Sequence, residues 1–396
     1  MALKDLLTIG WLYKPPKNPS LATPAYMAQM VDRWVLTQGD ENYVAQVKAA
    51  GASPDSRFWL YFSADNGDDP GRQALLPPNT PYQSHPNRPL RNNVCYQEGD
   101  ITRIRDLHPN WFMRRPDGSV IHKNLADHIV FDLGKPGVRQ FFCERINNAT
   151  WSQGWNGVFF DNLHIYFTAA HGEPVATQQY GDGKSDAWLA MMLNYLDEVR
   201  AQCVTPNKGA LGGNLQGEDL ARWCKVAKKL DVIMIEFFSM WRDSYKQPAD
   251  WERDLRKMQF AQANNIEAWA VTPFDPTLAF EQNDATHKRR FNFGLASYLL
   301  VVGPTSVLRA SHEPYTHAYN FPEFAEVRAL GFPKGRYFKK NSTLYRRDFT
   351  NGYVEVNPFT QPPTAVINVT QRNIQPPQAP FVAQAEGQMH RVNDSV

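Results

Sequence analysis

Five acidic residues stand at or near the ends of apolar, strand-like runs, where a carboxylate must be paired or must face water. Asp161 follows Gly157-Val-Phe-Phe160, and Glu236 follows Val232-Ile-Met-Ile235. Asp65 closes Arg57-Phe-Trp-Leu-Tyr-Phe-Ser-Ala64, Asp132 lies within His128–Leu133, and Glu313 comes shortly after Ser306–Ala310. Two carboxyls facing each other across a cleft suit the cleavage of a glycosidic bond. One stays ionised to attack or stabilise the anomeric carbon, while the other is protonated and donates to the leaving oxygen. Asp161 and Glu236 occupy matching places and are the expected catalytic pair; the competing reading is a helix cap or an ion pair with arginine. Phe160, Phe237 and Phe238 flank them and would help to push their pKa values apart.

Such a pair needs neighbours that hold hydroxyls and sugar faces. Asn162 and His164 share a loop with Asp161, Asn214 ends a further strand, and Trp241 lies in the loop beyond Glu236. These four are the expected substrate contacts, with Asp65, Asp132 and Glu313 in supporting places around the same mouth. Trp59, Tyr61 and Trp269 lie in mid-strand, where alternation sends most rings into a core. Other chemistries find less support. Gly213-Asn-Leu-Gln-Gly217 has the glycine spacing of a nucleophile elbow, but Leu215 stands where the serine would be. No glycine-rich phosphate loop follows any strand. Cys95, Cys143, Cys203 and Cys224 are far apart without metal-ligand spacing, and read as buried thiols. Neither a metal nor any other cofactor is expected.

The elements that must position these groups alternate between short β-rich runs and amphipathic stretches, the signature of βα units. Strands are expected at Leu6–Tyr13, Arg57–Asp65, His128–Leu133, Gly157–Asp161, Gly209–Asn214, Asp231–Glu236, Glu267–Thr272 and Ser306–Ala310. Helices are expected from about Ala25 to Ala50 and over Val138–Ala149, Asp186–Val204, Asp219–Lys229, Asp250–Ala263 and Lys288–Val301. Eight such steps predict a closed (β/α)8 TIM barrel over residues 1–315, with its reactive groups at the C-terminal ends of the strands. The Pro-rich connection Asn66–Glu98 is long enough to be a wall or lid over that mouth. Beyond it, residues 316–370 carry short strands around Asn351-Gly352, a hairpin signal that predicts a small antiparallel β appendage. Residues 371–396 are rich in Gln, Pro and Ala without periodicity, and read as a polar tail.

Three segments together resemble a known group. Trp155-Asn-Gly-Val-Phe-Phe-Asp-Asn162, preceded by Trp111-Phe-Met-Arg-Arg-Pro-Asp-Gly118 and Phe131-Asp-Leu-Gly134, is similar to the hypothetical glycosyl hydrolase family 15. Its members pair a W-F-x-R-x-x-D-G segment with a G-x-D/N-G-V-F-x-D-N strand. The later Arg346-Arg-Asp-Phe-Thr-Asn-Gly-Tyr-Val-Glu-Val-Asn-Pro358 is similar to that family's R-R-x-F-x-N-G-x-V-x-V-N-P strands. The resemblance covers roughly residues 5–370 and implies glycosidase chemistry without naming a sugar. By further analogy with barrels of the alpha-galactosidase type, it implies Asp161 as nucleophile and Glu236 as acid/base, hence retention. The carboxylate on the sixth strand is usually Asp in those enzymes, and Glu236 departs from that pattern.

Composition narrows the remaining classes. With 42 basic and 40 acidic residues among 396, the net charge of +2 makes no case for nucleic-acid or anionic-membrane binding. At 42% apolar and 21% charged, the chain belongs among folded rather than disordered proteins. The longest uncharged run, Phe291–Leu308, is broken by Asn292, Gly294, Gly303 and Pro304, too polar to span a bilayer. The stretch Met1–Leu7 lacks the basic and apolar regions of a signal peptide, so a cytoplasmic or virion-associated location is expected. The alternative to a hydrolase is a non-catalytic, carbohydrate-binding or structural barrel in a phage tail or cell-surface assembly. Self-association or particle assembly through the C-terminal region would fit that alternative.

Overall fold

Eight short parallel strands lie side by side: β1 (Gly10–Leu12), β2 (Arg33–Leu36), β3 (Arg57–Ser63), β4 (Gly157–His164), β5 (Ala210–Gln216), β6 (Val232–Ile235), β7 (Glu267–Thr272) and β8 (Ser306–Ala310). Each pairs with the next in chain order, and the ring closes where Ile9 pairs in parallel with Leu308. The Leu308 amide donates to the Thr8 carbonyl at 2.8 Å across that seam. This computed structural model describes residues 6–17, 21–85, 92–123, 127–170, 173–242, 244–310, 316–319, 321 and 323–370. Helices run on the outside between successive strands. They are α1 (Pro24–Met30), α2 (Glu41–Ala49), α3 (Asp100–Leu107), α4 (Pro136–Thr150), α5 (Asp186–Val199), α6 (Leu220–Ala227), α7 (Pro248–Ala263) and α8 (Ala285–Val301). No described helix is long and apolar enough to cross a membrane.

The expected (β/α)8 barrel is present, but one expected helix and one expected strand need correction. The stretch Ala25–Ala50 is not continuous helix: Arg33–Leu36 forms β2 between α1 and α2. Four residues are too few to display a period, and Trp34, Val35 and Leu36 are buried on both faces, so nothing in their order separates strand from helix. His128–Leu133 lies outside the barrel. Its His128–Val130 portion pairs antiparallel with Asn66–Asp68 and with His122–Lys123 in a three-stranded sheet inserted after β3. Its residues are as apolar as a barrel strand, and only pairing partners tell the two apart. The total of eight survives because one error offsets the other.

Strand alternation sorts the side chains into two cores. Leu12, Val35, Trp59, Phe159, Val232, Met234, Trp269, Val271 and Val307 point inward and fill the barrel, while a larger cluster lies between strands and helices. Trp59 and Trp269 meet edge to face at 6.0 Å, so both are barrel core and neither lines the cleft. Two glycines make room for the interior rings. A Cβ on Gly10 would come within 2.7 Å of Trp269, and one on Gly212 within 2.9 Å of Phe159. Trp269→Ala should therefore cost about 3–5 kcal/mol in urea unfolding, the usual cost of emptying a site this large. A loss below about 1 kcal/mol would show that the interior is not packed as described.

Asn66–Glu98 is more built than a plain loop. Asn66–Asp68 joins the inserted sheet, Asp69 is buried and accepts from the Ala74 amide at 3.1 Å, and Arg105 donates to the Gln73 and Thr80 carbonyls. After the barrel come α9 (Glu323–Ala329) and an antiparallel sheet ordered β9 (Phe338–Lys339), β10 (Tyr345–Phe349), β11 (Gly352–Asn357) and β12 (Thr364–Val369). The predicted hairpin is present with its turn one residue earlier, at Thr350-Asn351, and Gly352 already opens β11 opposite Phe349. The sheet packs on α8, and Arg347 donates to the Leu299 and Val302 carbonyls at 3.0 and 2.8 Å. The tail 371–396 lies outside the described residues, as does Glu313.

Candidate active site

Each interior strand position has a successor two residues on that also points inward, one layer nearer the C-terminal end. From Phe159 that successor is Asp161, from Gly212 it is Asn214, from Met234 it is Glu236, and from Trp59 it is Tyr61. Four polar groups thus crown the apolar plug of the barrel. Asn214 links two of them: its Nδ2 donates to Asp161 Oδ1 at 2.8 Å and to Glu236 Oε2 at 2.7 Å. Two oxygens held by one nitrogen at those distances can lie at most about 5.5 Å apart. Asp161 Oδ2 accepts from the Tyr61 hydroxyl in a short bond and from Asn162 Nδ2 at 3.1 Å. Glu236 Oε2 also accepts from Gln216 Nε2 at 3.3 Å.

Burial raises the pKa of Asp161, and the nearby charge of Glu236 raises it further. Hydrogen bonds from Tyr61, Asn214 and the Asn162 backbone favour the ionised form and oppose that shift. Tyr61 itself is held well above its ordinary pKa by burial and by Asp161, so it remains a hydroxyl donor. Backbone strain accompanies both carboxylates. Asn162, directly after Asp161, has φ 56°, and Phe237, directly after Glu236, has φ 58°. Left-handed backbone is uncommon in non-glycine residues and collects at functional sites, where surrounding contacts hold it in place.

Of these four, Glu236 lines a cavity of about 720 Å³, within the range of small-molecule sites. Asn162, His164, Gln216, Glu236, Phe237 and Trp241 line it, together with Asn66, Lys123 and His128 from the inserted sheet. Trp241 is 42% exposed, with the Lys246 ammonium over its ring, 4.4 Å from the centroid. His164 is held neutral, its pKa pushed down to about 4 by burial and then by the charge of Lys123. Among the expected contacts, then, Asn162, His164 and Trp241 line the cavity, and Asn214 bridges the two acids. Asp65 is turned away and grips Lys123 with both oxygens, at 2.7 and 2.6 Å, so it positions a cavity lysine rather than lining the cavity. Asp132 is buried elsewhere, accepting from the Tyr180 hydroxyl and from the Gly134 amide in the turn before α4. Among the described residues no group of three His, Cys, Asp or Glu is placed to hold a metal.

Tyr61 and Gln216 carry contacts that sequence reading did not assign. Strand period alone would have found both, since each falls on the inward register of a mouth residue. The basic wall of Lys123, Lys246, Arg253 and Lys257 had no such signal, because its members come from the insert, a loop and α7.

The family model of the hypothetical glycosyl hydrolase family 15 matches residues 84–353, which include β4 to β8 and both carboxylates. No curated protein matches the sequence. Among solved structures, the trehalose-6-phosphate hydrolase of Bacillus licheniformis is similar with a TM-score of 0.51 at 9% identity, over 88% of this chain and 90% of that one. A noncanonic maltogenic alpha-amylase of Thermotoga neapolitana is similar at TM-score 0.48 and 10% identity, over 89% of this chain and 86% of that one. At 9% identity the likeness to the trehalose-6-phosphate hydrolase is one of fold.

Proposed function

Since the chain belongs to the hypothetical glycosyl hydrolase family 15, we propose that it hydrolyses O-glycosidic bonds of an oligo- or polysaccharide, using Asp161 as nucleophile and Glu236 as general acid/base. The observation that carries this reading is the single Asn214 nitrogen shared by the two carboxylates. A separation of about 5–5.5 Å is the spacing at which one carboxylate can attack the anomeric carbon directly, whereas inverting enzymes keep about 6.5–9.5 Å for a water. The reading therefore includes retention of anomeric configuration.

The role of each residue follows from its surroundings. Asp161 accepts hydrogen bonds from Tyr61, Asn162 and Asn214, an arrangement that holds an attacking anion in one orientation. Glu236 lines the open cavity, where a leaving-group oxygen can reach it. In the first step Asp161 attacks the anomeric carbon as Glu236 protonates the departing oxygen. In the second, Glu236 accepts a proton from water as that water attacks the same carbon and Asp161 departs. Trp241 would stack against a sugar face, and Asn162 and His164 would bond its hydroxyls.

The test is direct. The protein is incubated with a panel of bacterial and plant glycans, new reducing ends are counted, and the first product anomer is read by proton NMR before mutarotation. New ends with a retained anomer are expected. An inverted first product would overturn the retaining mechanism, and binding without any cleavage would favour a carbohydrate-binding barrel.

A further inference from the structure

Most cations in the cavity wall have a carboxylate of their own. Lys123 is held by Asp65, Lys246 by Asp254 at 2.7 Å, and Arg253 by Asp250 at 2.7 Å with Glu218 at 3.9 Å. Lys257 differs. It is only 6% exposed, yet among the described residues it forms no ion pair. Its Nζ donates to the Gly217 carbonyl at 2.9 Å and lies 5.3 Å from the centre of the Trp223 ring. A carbonyl and a ring face compensate weakly for the loss of water around a full charge. Burial pulls its pKa down to about 8, opposed by Asp254 and aided by Lys246 and Arg253. Lys257 is thus still mostly protonated at neutral pH, and it belongs to the lining of the cavity.

Its place in the cleft is specific. Gly217 directly follows Gln216, whose amide donates to Glu236. Lys257 is therefore anchored one residue along the chain from Gln216, the side chain that donates to Glu236. Lys246 and Arg253 line the same stretch of wall, together with their carboxylate partners Asp254 and Glu218. We propose that this wall is an anion subsite, with Lys257 at its centre, taking a carboxylate or sulfate-type group borne by a sugar next to the cleaved bond. The substrate class would then be an acidic glycan rather than a neutral one. This deepens the glycosidase reading and rests on it. A bound oxyanion would give Lys257 the charge-assisted partner that the described residues do not supply.

The experiment compares glucuronate, glucose 6-sulfate and glucose as ligands of the full chain by NMR titration, with wild type and Lys257→Met. In wild type at neutral pH, at least one acidic sugar should bind tenfold or more tightly than glucose. Lys257→Met should erase that preference while leaving glucose affinity unchanged, which a merely structural lysine would not do. Preference for glucuronate alone identifies a carboxylate, and for glucose 6-sulfate alone a sulfate-type group. Equal binding of all three by wild type, or an undiminished preference in Lys257→Met, overturns the subsite.

A second measurement needs no variant, in case Lys257→Met fails to fold. The wild-type preference should fade as pH rises through about 8, when Lys257 loses its proton in the company of Asp254, Lys246, Arg253 and Glu218. A preference constant from pH 7 to 9.5 would count against Lys257 as its source. Failure here is distinct from failure of the enzymatic reading. Hydrolysis of neutral and acidic glycans alike would sink the subsite alone, while acid-selective binding with no hydrolysis of any glycan would sink the glycosidase and spare the subsite.

Discussion

Asp161→Asn should lower kcat/KM by at least about 10³-fold on every glycan the wild-type protein cleaves, equivalent to about 4 kcal/mol of transition-state stabilisation. No leaving group, however reactive, makes up for an absent nucleophile, so the loss should be the same for poor and activated substrates. The pH dependence of the wild type should carry the same residue's signature. Burial and Glu236 raise the pKa of Asp161, so the acid limb of kcat/KM should lie above the ordinary carboxylate range. Because the two acids interact, that limb belongs to the pair. Stability follows with a definite sign. A carboxyl whose pKa is raised by folding binds more protons in the native state, so its contribution is fully present below the unfolded value and is lost as pH rises through the folded one. At neutral pH the ionised Asp161 therefore opposes folding, and removing its charge relieves that opposition. Asp161→Asn should match or exceed wild-type Tm at pH 7, with no such advantage near pH 3. Lower Tm at neutral pH together with near-normal turnover would make Asp161 a structural residue, and the chemistry would have to lie elsewhere.

Legibility in the sequence followed the physics of each element. Strands β4 to β8 could be read because each is a short apolar run between turn residues, and a buried parallel strand has few other appearances. Strand β2 could not, since four residues carry no period and two helices flank it. His128–Leu133 belongs elsewhere for a complementary reason: composition reports burial, and Ile129, Val130 and Phe131 are fully buried, but in and beside an inserted sheet. Within the site, Asp161 and Glu236 stood out because a charge at the end of an apolar strand is costly unless something answers it. Asp65 and Asp132 carry the same local signal. Lys123 answers the first and Tyr180 assists the second, partners 58 and 48 residues away in sequence that no local pattern announces. Lys257 was illegible for the same reason, since on α7 it reads as one more solvent-facing lysine. Its burial depends on the Gly217 carbonyl 40 residues earlier.

Glu236→Gln should separate the two carboxylates, because an acid/base works only where a proton is needed. Gln keeps the size of Glu and can still meet Asn214 and Gln216, so the cleft should retain its shape and the protein its fold. On a natural glycan the departing oxygen is a poor leaving group, and turnover should fall by about 10²–10⁴-fold, the usual worth of positioned proton transfer. A dinitrophenyl glycoside of the sugar that the protein cleaves departs without protonation, so the attack by Asp161 should be nearly as fast as in wild type. The second step still lacks its base, so the glycosyl ester on Asp161 should accumulate as a burst of dinitrophenolate followed by slow release. Azide needs no base to attack that ester, and its addition should restore turnover and yield a glycosyl azide with the starting configuration. Retained configuration matters because it ties the rescue to two displacements at one carbon, which the short span between carboxylates bridged by Asn214 permits. An azide product of opposite configuration would mean that azide had displaced the leaving group directly, with no ester formed, and Asp161 would then serve as a base for water. Should the activated substrate instead be spared in Asp161→Asn and lost in Glu236→Gln, the carboxylate pair stands and its two roles exchange.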